Sequence, residues 1–294
     1  MLIGKSFHAP VLVEQALSFL LQEPEGIYVD GTLGGGGHTE AICSRLSGTG
    51  RVIAFDVDEE AIRFAASRLA AYSSRLITIR SNFNSMRSEL RLLNITEVNG
   101  ILLDLGVSSF QLDNNDLGFS FRGEGHIDMR MDRRQTVTGW DVVNTYREED
   151  LRTIIWTFGE ERYGRRIAKK IVAARPIDST MHLRDVVGSA VGGRFLTKTL
   201  ARVFQAIRIE VNKELESLEA MLRDSLQLLA PGARVVVISY HSLEDRIVKS
   251  FFRLHPAELK ILTKKPVMPG DEEIAANKRA RSARMRAAER LPQE

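Results

Sequence analysis

Apolar and polar positions in the first third of the chain alternate between strand-like runs and helix-like stretches. The predicted strands are short aliphatic and β-branched runs at residues 27–30, 51–56, 76–79 and 100–104. The predicted helices between them cover residues 39–46 and 59–71. Strands separated by helices form βαβ units, so this part of the chain predicts an α/β fold with a parallel sheet covered by helices on both faces.

The rhythm changes after residue 109 and returns near residue 234. Helical patterns cover residues 148–158, 162–174 and 182–191. From Leu200 to Leu229 the apolar residues follow one face of a long helix, or of two helices that meet near Asn212. A strongly apolar run at residues 234–239 then predicts a further strand. We therefore expect a discontinuous α/β domain, residues 1–110 and 211–294, with an inserted all-helical domain at residues 111–210.

Composition and charge narrow the possible functions only slightly. The chain has 294 residues, 44% of them hydrophobic, which is enough for one large or two modest cores. Its net charge of +3 is concentrated in two basic segments, residues 162–175 and 278–290. Each could be a solvated helix face, but two such segments together favour a phosphate backbone as partner. The tail from Lys264 onward contains prolines, glycine and many cations, so we expect it to be loosely packed until it meets a partner.

Several classes of protein are excluded by simple features. No run approaches the roughly 20 apolar residues of a membrane span, and no secretory leader is recognisable. Cys43 is the single cysteine, so an internal disulfide or a multi-cysteine zinc site is excluded. We expect a cytoplasmic protein with no metal site and no membrane partner.

The motif that indicates a cofactor is the glycine-rich segment 30–38, which lies between a predicted strand and a predicted helix. Glycine permits a close approach of backbone to ligand, and Asp56 ends the next strand, where it could bind ribose hydroxyls. Asp30 followed by Gly34 and Gly36 resembles the S-adenosylmethionine-binding form, in which the acid helps to hold the amino-acid end of the cofactor. The third glycine of a dinucleotide fingerprint is replaced by His38-Thr39, which argues against a nicotinamide cofactor.

The candidate catalytic residues follow the fourth predicted strand. Ligands of open parallel sheets bind at the carboxyl ends of the strands, so Asp104, Ser108 and Ser109 should lie near the cofactor. A hydrogen-bond acceptor there could align an exocyclic amine and take its proton. The alternative is that Asp104 and Ser108 only cap turns. His241, after the run at 234–239, is more simply a structural hydrogen-bonding residue.

The chain as a whole resembles the ribosomal RNA small subunit methyltransferase H family, also called the MraW family. The matching segments are residues 8–12, 30–38, 100–109, 111–113, 118–121, 128–132, 159–162, 204–209 with Asn212, 239–246 and 277–286. The resemblance implies a Rossmann-like sheet that binds S-adenosyl-L-methionine and methylates N4 of a cytidine in the decoding region of 16S rRNA. It also implies cofactor contacts by Gly36, Gly37, His38, Asp56, Phe83, Asp104 and Gln111. Two positions depart from the family pattern, Gly35 and Phe110, and the second could alter the substrate-side loop.

Four functions remain to be separated by experiment. They are an rRNA cytosine methyltransferase, a methyltransferase for DNA or small molecules, a nicotinamide-dependent oxidoreductase and a non-enzymatic ribosome-assembly factor. The expected partner is 16S rRNA within the small ribosomal subunit, and a homodimer is left open.

Overall fold

The computed structural model describes residues 10–292, which divide into two compact units. Residues 107–214 form one, called here the helical unit, and residues 10–106 with 215–292 form the other, called the sheet unit. No helix within residues 10–292 is long and apolar enough to cross a membrane.

The sheet unit contains a seven-stranded sheet of order β3-β2-β1-β4-β5-β7-β6. The strands are β1 (Ile27–Asp30), β2 (Arg51–Asp56), β3 (Leu76–Arg80), β4 (Val98–Asp104), β5 (Leu229–Ser239), β6 (Leu259–Ile261) and β7 (Arg284–Arg290). Strands β1 to β5 are parallel, and β7 runs antiparallel to both β5 and β6. The predicted Rossmann-like α/β fold is confirmed. Its strand order reverses between β1 and β4, and the crevice at such a point is where open sheets bind ligands.

The helices alternate with the strands in the first third of the chain and then follow one another. They are α1 (Val13–Leu20), α2 (Gly37–Cys43), α3 (Glu59–Arg68), α4 (Met86–Leu92), α5 (Ser109–Asp113), α6 (Gly139–Thr145), α7 (Glu148–Thr157), α8 (Gly164–Ala173), α9 (Thr180–Ala190), α10 (Leu196–Asn212), α11 (Glu214–Leu228), α12 (Ser242–Leu254) and α13 (Asp271–Ala276). The long apolar pattern after Leu200 is thus two helices, and Lys213 separates them with a left-handed φ of 50°.

Each unit has its own apolar core. In the sheet unit, aliphatic side chains of β1, β2, β4 and β5 pack under helices on both faces, with Val29, Ile101 and Val235 fully buried. In the helical unit, apolar faces of α6 to α10 meet around residues such as Ile155 and Ile207. Burial of these faces is the dominant favourable contribution to folding of each unit.

The expectation of a loosely packed tail is wrong, because β7 lies inside the sheet between β5 and β6. Ala287 and Ala288 are fully buried there, and each belongs to a different one of the two apolar cores beside the sheet. The buried Arg286 donates to Asp245 Oδ1 at 2.6 Å, and Arg290 donates to the Glu258 carbonyl at 3.1 Å. The basic residues that suggested a free tail are therefore in part internal.

Candidate active site

The glycine-rich segment forms the turn between β1 and α2. Gly34 and Gly36 have positive φ values of 49° and 79°, which glycine adopts without steric cost. A Cβ at Gly36 would lie 3.0 Å from Leu69, whereas one at Gly34 would have only the Thr32 carbonyl within 4 Å. A Cβ at Gly37 would clash with the ring of Pro10 at 2.7 Å. Gly34 therefore has open space beside its backbone, as a ligand cradle requires.

Asp30 stabilises this turn through two hydrogen bonds to its side chain. Its carboxylate is fully buried and accepts hydrogen bonds from the Thr32 amide at 3.0 Å and from the Thr39 hydroxyl at 2.6 Å. These two bonds join the start of the turn to the first turn of α2. Asp30 is thus placed to hold the glycine turn in shape.

Asp56 at the end of β2 holds the other side of the turn. Its Oδ2 accepts from the Gly34 amide at 2.7 Å and its Oδ1 from the Asp58 amide at 2.9 Å. Burial raises the pKa of this carboxyl group from 3.8 to about 6. Each carboxylate oxygen can accept a second hydrogen bond, so Asp56 has acceptor capacity for ligand hydroxyls.

Asp104 at the end of β4 is oriented by three neighbours. The Tyr240 hydroxyl donates to its Oδ1 at 2.8 Å, and its Oδ2 lies 3.4 Å from Nδ1 of His38. Its own amide donates to the Thr32 hydroxyl at 2.7 Å. Burial raises the pKa of Asp104 to about 6, opposed by His38 and by the Tyr240 hydrogen bond. The group therefore can exchange a proton near neutral pH.

His38 connects Asp104 to the start of the described chain. Its Nε2 lies 3.0 Å from the Val11 carbonyl, and Nδ1 faces Asp104. A neutral imidazole has one N–H, whereas both ring nitrogens here face acceptors. Asp104 is therefore contacted by a ring nitrogen of His38 at one carboxylate oxygen and by the Tyr240 hydroxyl at the other.

Tyr240 and Thr32 were not among the predicted site residues. Tyr240 directly follows β5, and β5 is paired with β4, so the ends of the two strands bring Tyr240 to Asp104. Only the strand order reveals this neighbour. The backbone of Gly106 passes close to the Tyr240 ring with a φ of 113°. A Cβ on residue 106 would lie only 3.1 Å from that ring, so glycine suits this position. His241, by contrast, caps α12 and forms a capping box with Glu244, the structural hydrogen-bonding role expected of it.

Phe83 lies in a short 3₁₀ turn, Phe83–Ser85, that follows β3. It is partly buried and packs on the aliphatic core of the sheet unit. The sheet unit thus brings together most of the predicted cofactor residues. They are Asp30, Gly34, Gly36, Gly37, His38, Asp56, Phe83 and Asp104.

The other three predicted residues belong to the helical unit. Ser108 is the N-cap of α5: its hydroxyl accepts from the Gln111 amide, and its own amide donates to Gln111 Oε1, both at 3.1 Å. The capping alternative therefore describes what Ser108 does in the fold. Gln111 is buried. The side chain of Ser109 is outside the described part of the structure.

Known proteins match this chain over nearly its whole length. The pattern of the MraW methylase family matches residues 5–291. A ribosomal RNA small subunit methyltransferase H from Carboxydothermus hydrogenoformans is 47% identical, over 97% of this chain and 98% of the relative. A protein of the same name from Desulfotalea psychrophila is 46% identical, over 98% and 99% of the two chains.

Proposed function

The chain belongs to the MraW methylase family, and from this premise we propose that it transfers a methyl group from S-adenosyl-L-methionine to N4 of a cytidine in 16S rRNA. The observation that carries the proposal is the oriented, partly buried carboxylate of Asp104 at the end of β4, beside the glycine turn. An acceptor at this position suits methylation of an amine.

The glycine turn and Asp56 would hold the cofactor. Asp56 would accept hydrogen bonds from the ribose hydroxyls, as acids at the end of the second strand do in nucleotide-binding sheets. Gly34, Gly36 and Gly37 would let the backbone approach the amino-acid end, while Asp30 keeps the turn in shape. His38, Phe83 and Gln111 complete the proposed contact set. Bound S-adenosyl-L-methionine supplies an electrophilic methyl group.

Asp104 would align the amine and accept its proton. The lone pair of an exocyclic amine is delocalised into the ring, and N4 must lose one proton as it becomes methylated. A carboxylate that already has Tyr240 on one oxygen and His38 at the other loses little freedom when it takes up this role. The proton would pass to the Asp104–His38 pair. Ser108 and Ser109 are the alternative acceptors.

The helical unit would recognise RNA. We propose that residues 107–214 act as the substrate-recognition domain inserted after β4, and that the target is in the decoding region of 16S rRNA within the small ribosomal subunit. A cytoplasmic enzyme has access to that substrate. The target base must leave its stack to reach a buried site, which suits a loop nucleotide.

The direct test is incubation of the protein with labelled S-adenosyl-L-methionine and unmodified small ribosomal subunits. Digestion of the RNA and mass spectrometry of its nucleosides should then show N4-methylcytidine. The same label on DNA, on protein or on another nucleoside would contradict the proposed substrate. Absence of labelling, together with RNA binding that does not depend on the methyl donor, would favour an assembly factor.

A further inference from the structure

Helix α8 of the helical unit carries all its charge on one face. Arg162, just before the helix, and Arg165, Arg166, Lys169 and Lys170 recur at intervals of three and four residues, so they lie on one side. All are exposed, while Ile167, Ala168 and Ile171 on the opposite side are fully buried. We call these five cations the α8 stripe.

Within the described residues, the α8 stripe has no carboxylate partner. None of its members forms an ion pair with any residue between 10 and 292, and α8 itself contains no acid. Some other cations of the same unit are paired, for example Arg147 with Asp150 and Arg208 with Glu214. Like charges four residues apart destabilise a helix, and α8 contains two such pairs, 165/169 and 166/170. A bound polyanion would remove this repulsion.

Partly and largely exposed aromatic rings border the α8 stripe. The Arg162 guanidinium lies 4.7 Å from the Tyr163 ring centroid and 5.4 Å from the Phe195 ring centroid. The Arg194 guanidinium lies 6.0 Å from the same Phe195 centroid. Trp156, at the end of α7, is 63% exposed, and its backbone nitrogen lies 3.5 Å from where a Cβ would sit on Gly164. Guanidinium planes and aromatic faces are the groups on which unpaired bases stack.

We propose that the α8 stripe, with Trp156 and the Arg162–Phe195 pair, binds a single-stranded RNA segment: the cations bind its phosphates and Trp156 stacks on one of its bases. This rests on the proposed function, because it assigns the surface that holds the RNA to the helical unit. Phosphates alone would need only the cations, and a protein or lipid partner would not need two stacking surfaces beside them.

The first test is the variant Arg165→Gln, Arg166→Gln, Lys169→Gln, Lys170→Gln. Its affinity for a 16S rRNA transcript should fall at least about tenfold, and the slope of log affinity against log potassium chloride should become shallower by up to about 3. The matched control is Arg87→Gln, Arg91→Gln, Lys249→Gln, Lys264→Gln, which removes the same charge from exposed positions of the sheet unit. Wild-type affinity and slope in the α8 variant, or equal losses in both variants, would overturn the proposal.

Stacking of a base on Trp156 can be tested by tryptophan fluorescence. The chain contains two tryptophans, Trp140 and Trp156, so one substitution leaves a single emitter. In a Trp140→Phe background, emission reports Trp156 alone, and the RNA transcript should quench it at low salt. Trp156→Leu should weaken RNA binding by about fivefold or more, whereas Trp140→Phe should not. Unchanged emission on saturation with RNA would overturn the assignment of Trp156.

Two further readouts separate this proposal from the proposed function. The α8 variant should bind S-adenosyl-L-methionine as the wild type does, and methylation of small subunits should show a raised KM with kcat unchanged. If the wild type binds RNA through the α8 stripe yet methylates no cytidine, the proposed function fails and the surface stands. If the wild type and the α8 variant both methylate cytidine in small subunits with equal KM, the proposed RNA-binding surface is wrong and the proposed function stands.

Discussion

Asp56 and Asp104 end the two strands that flank β1, and burial raises the pKa of each carboxyl group to about 6. Their other contacts differ. Asp56 accepts backbone amides of the glycine turn, whereas Asp104 contacts the titratable side chains of Tyr240 and His38. This difference is the basis for giving them different roles, cofactor holding for the first and proton acceptance for the second.

Replacing Asp104 by asparagine should lower the rate of methyl transfer more than it weakens substrate binding. The amide oxygen still accepts from Tyr240, but the negative charge is lost, and loss of a general base lowers rates by about 10²- to 10⁴-fold. Single-turnover methylation at saturating cofactor measures this step. Asp58→Asn, which changes an N-cap near the same edge of the sheet, should keep the wild-type rate. A wild-type rate for Asp104→Asn would direct attention to Ser108 or Ser109.

The same carboxyl group predicts a pH dependence. Its pKa is raised, so the acceptor is protonated below about pH 6 and ionised above it. The single-turnover rate of the wild type should therefore fall as the pH drops through about 6. In Asp104→Asn the residual rate should be flat over that interval. A wild-type profile that stays flat down to pH 4 would mean that ionised Asp104 is not required.

Asp56→Ala should weaken binding of S-adenosyl-L-methionine. Hydrogen bonds to a charged group contribute on the order of 1.5–3 kcal/mol each, so a loss of at least about tenfold in affinity is expected. Calorimetric titration measures this affinity. Asp56→Asn keeps the size of the side chain, so its affinity should lie between those of the wild type and Asp56→Ala. An unchanged dissociation constant for Asp56→Ala would place the ribose elsewhere.

These residues could be located from the sequence because the glycine motif and the ends of the predicted strands coincide. Asp30, Asp56 and Asp104 each follow an apolar run, and ends of parallel strands meet at one edge. Tyr240 could not be located from the sequence, because nothing local in residues 234–241 shows that β5 is paired with β4. The burial of Asp30 and its hydrogen bonds from Thr32 and Thr39 could not be predicted either, since they depend on the path of the turn.

Among the elements, β7 shows where patterning alone misleads. Its sequence combines three arginines and one glutamate with alanine and methionine, a composition typical of a solvated tail. Burial of its arginines depends on partners from distant segments, Asp245 in α12 and the Glu258 carbonyl, which no local window contains. Strands β1 to β4 were predicted within two residues at each end, because their apolar runs are continuous.

Arg286→Met should destabilise the fold. Breaking a buried ion pair by removing one partner costs about 3–5 kcal/mol, somewhat less here because Arg284 Nη1 lies 3.6 Å from the same Asp245. Urea unfolding followed by circular dichroism measures the loss. Arg45→Met removes an exposed pair with Glu14 and should change the free energy of unfolding by less than about 1 kcal/mol. Equal effects of the two changes would mean that β7 is not held by its arginine.

At the scale of the whole molecule, chemistry and RNA recognition are assigned to different units. The small ribosomal subunit should therefore be a far better substrate than free cytidine, because binding energy from remote contacts is available only with the large substrate. We expect kcat/KM for the subunit to exceed that for cytidine by at least about 10²-fold, measured with labelled methyl donor. Comparable values would mean that the helical unit contributes nothing to catalysis.

The pairing of β4 with β5 makes completion of the sheet depend on the helical unit, which connects these two strands. Asp104 lies beside Ile238 in the parallel ladder, and the whole helical unit is connected between them. Closing so long a loop is entropically costly while it is disordered, and pairings between distant residues form slowly. Early collapse of the helical unit would shorten the disordered chain to be closed. A mutation in its core, at Ile155 for example, would therefore delay completion of a sheet to which that residue does not belong, and would lengthen the time for which the edge of β4 is open to aggregation.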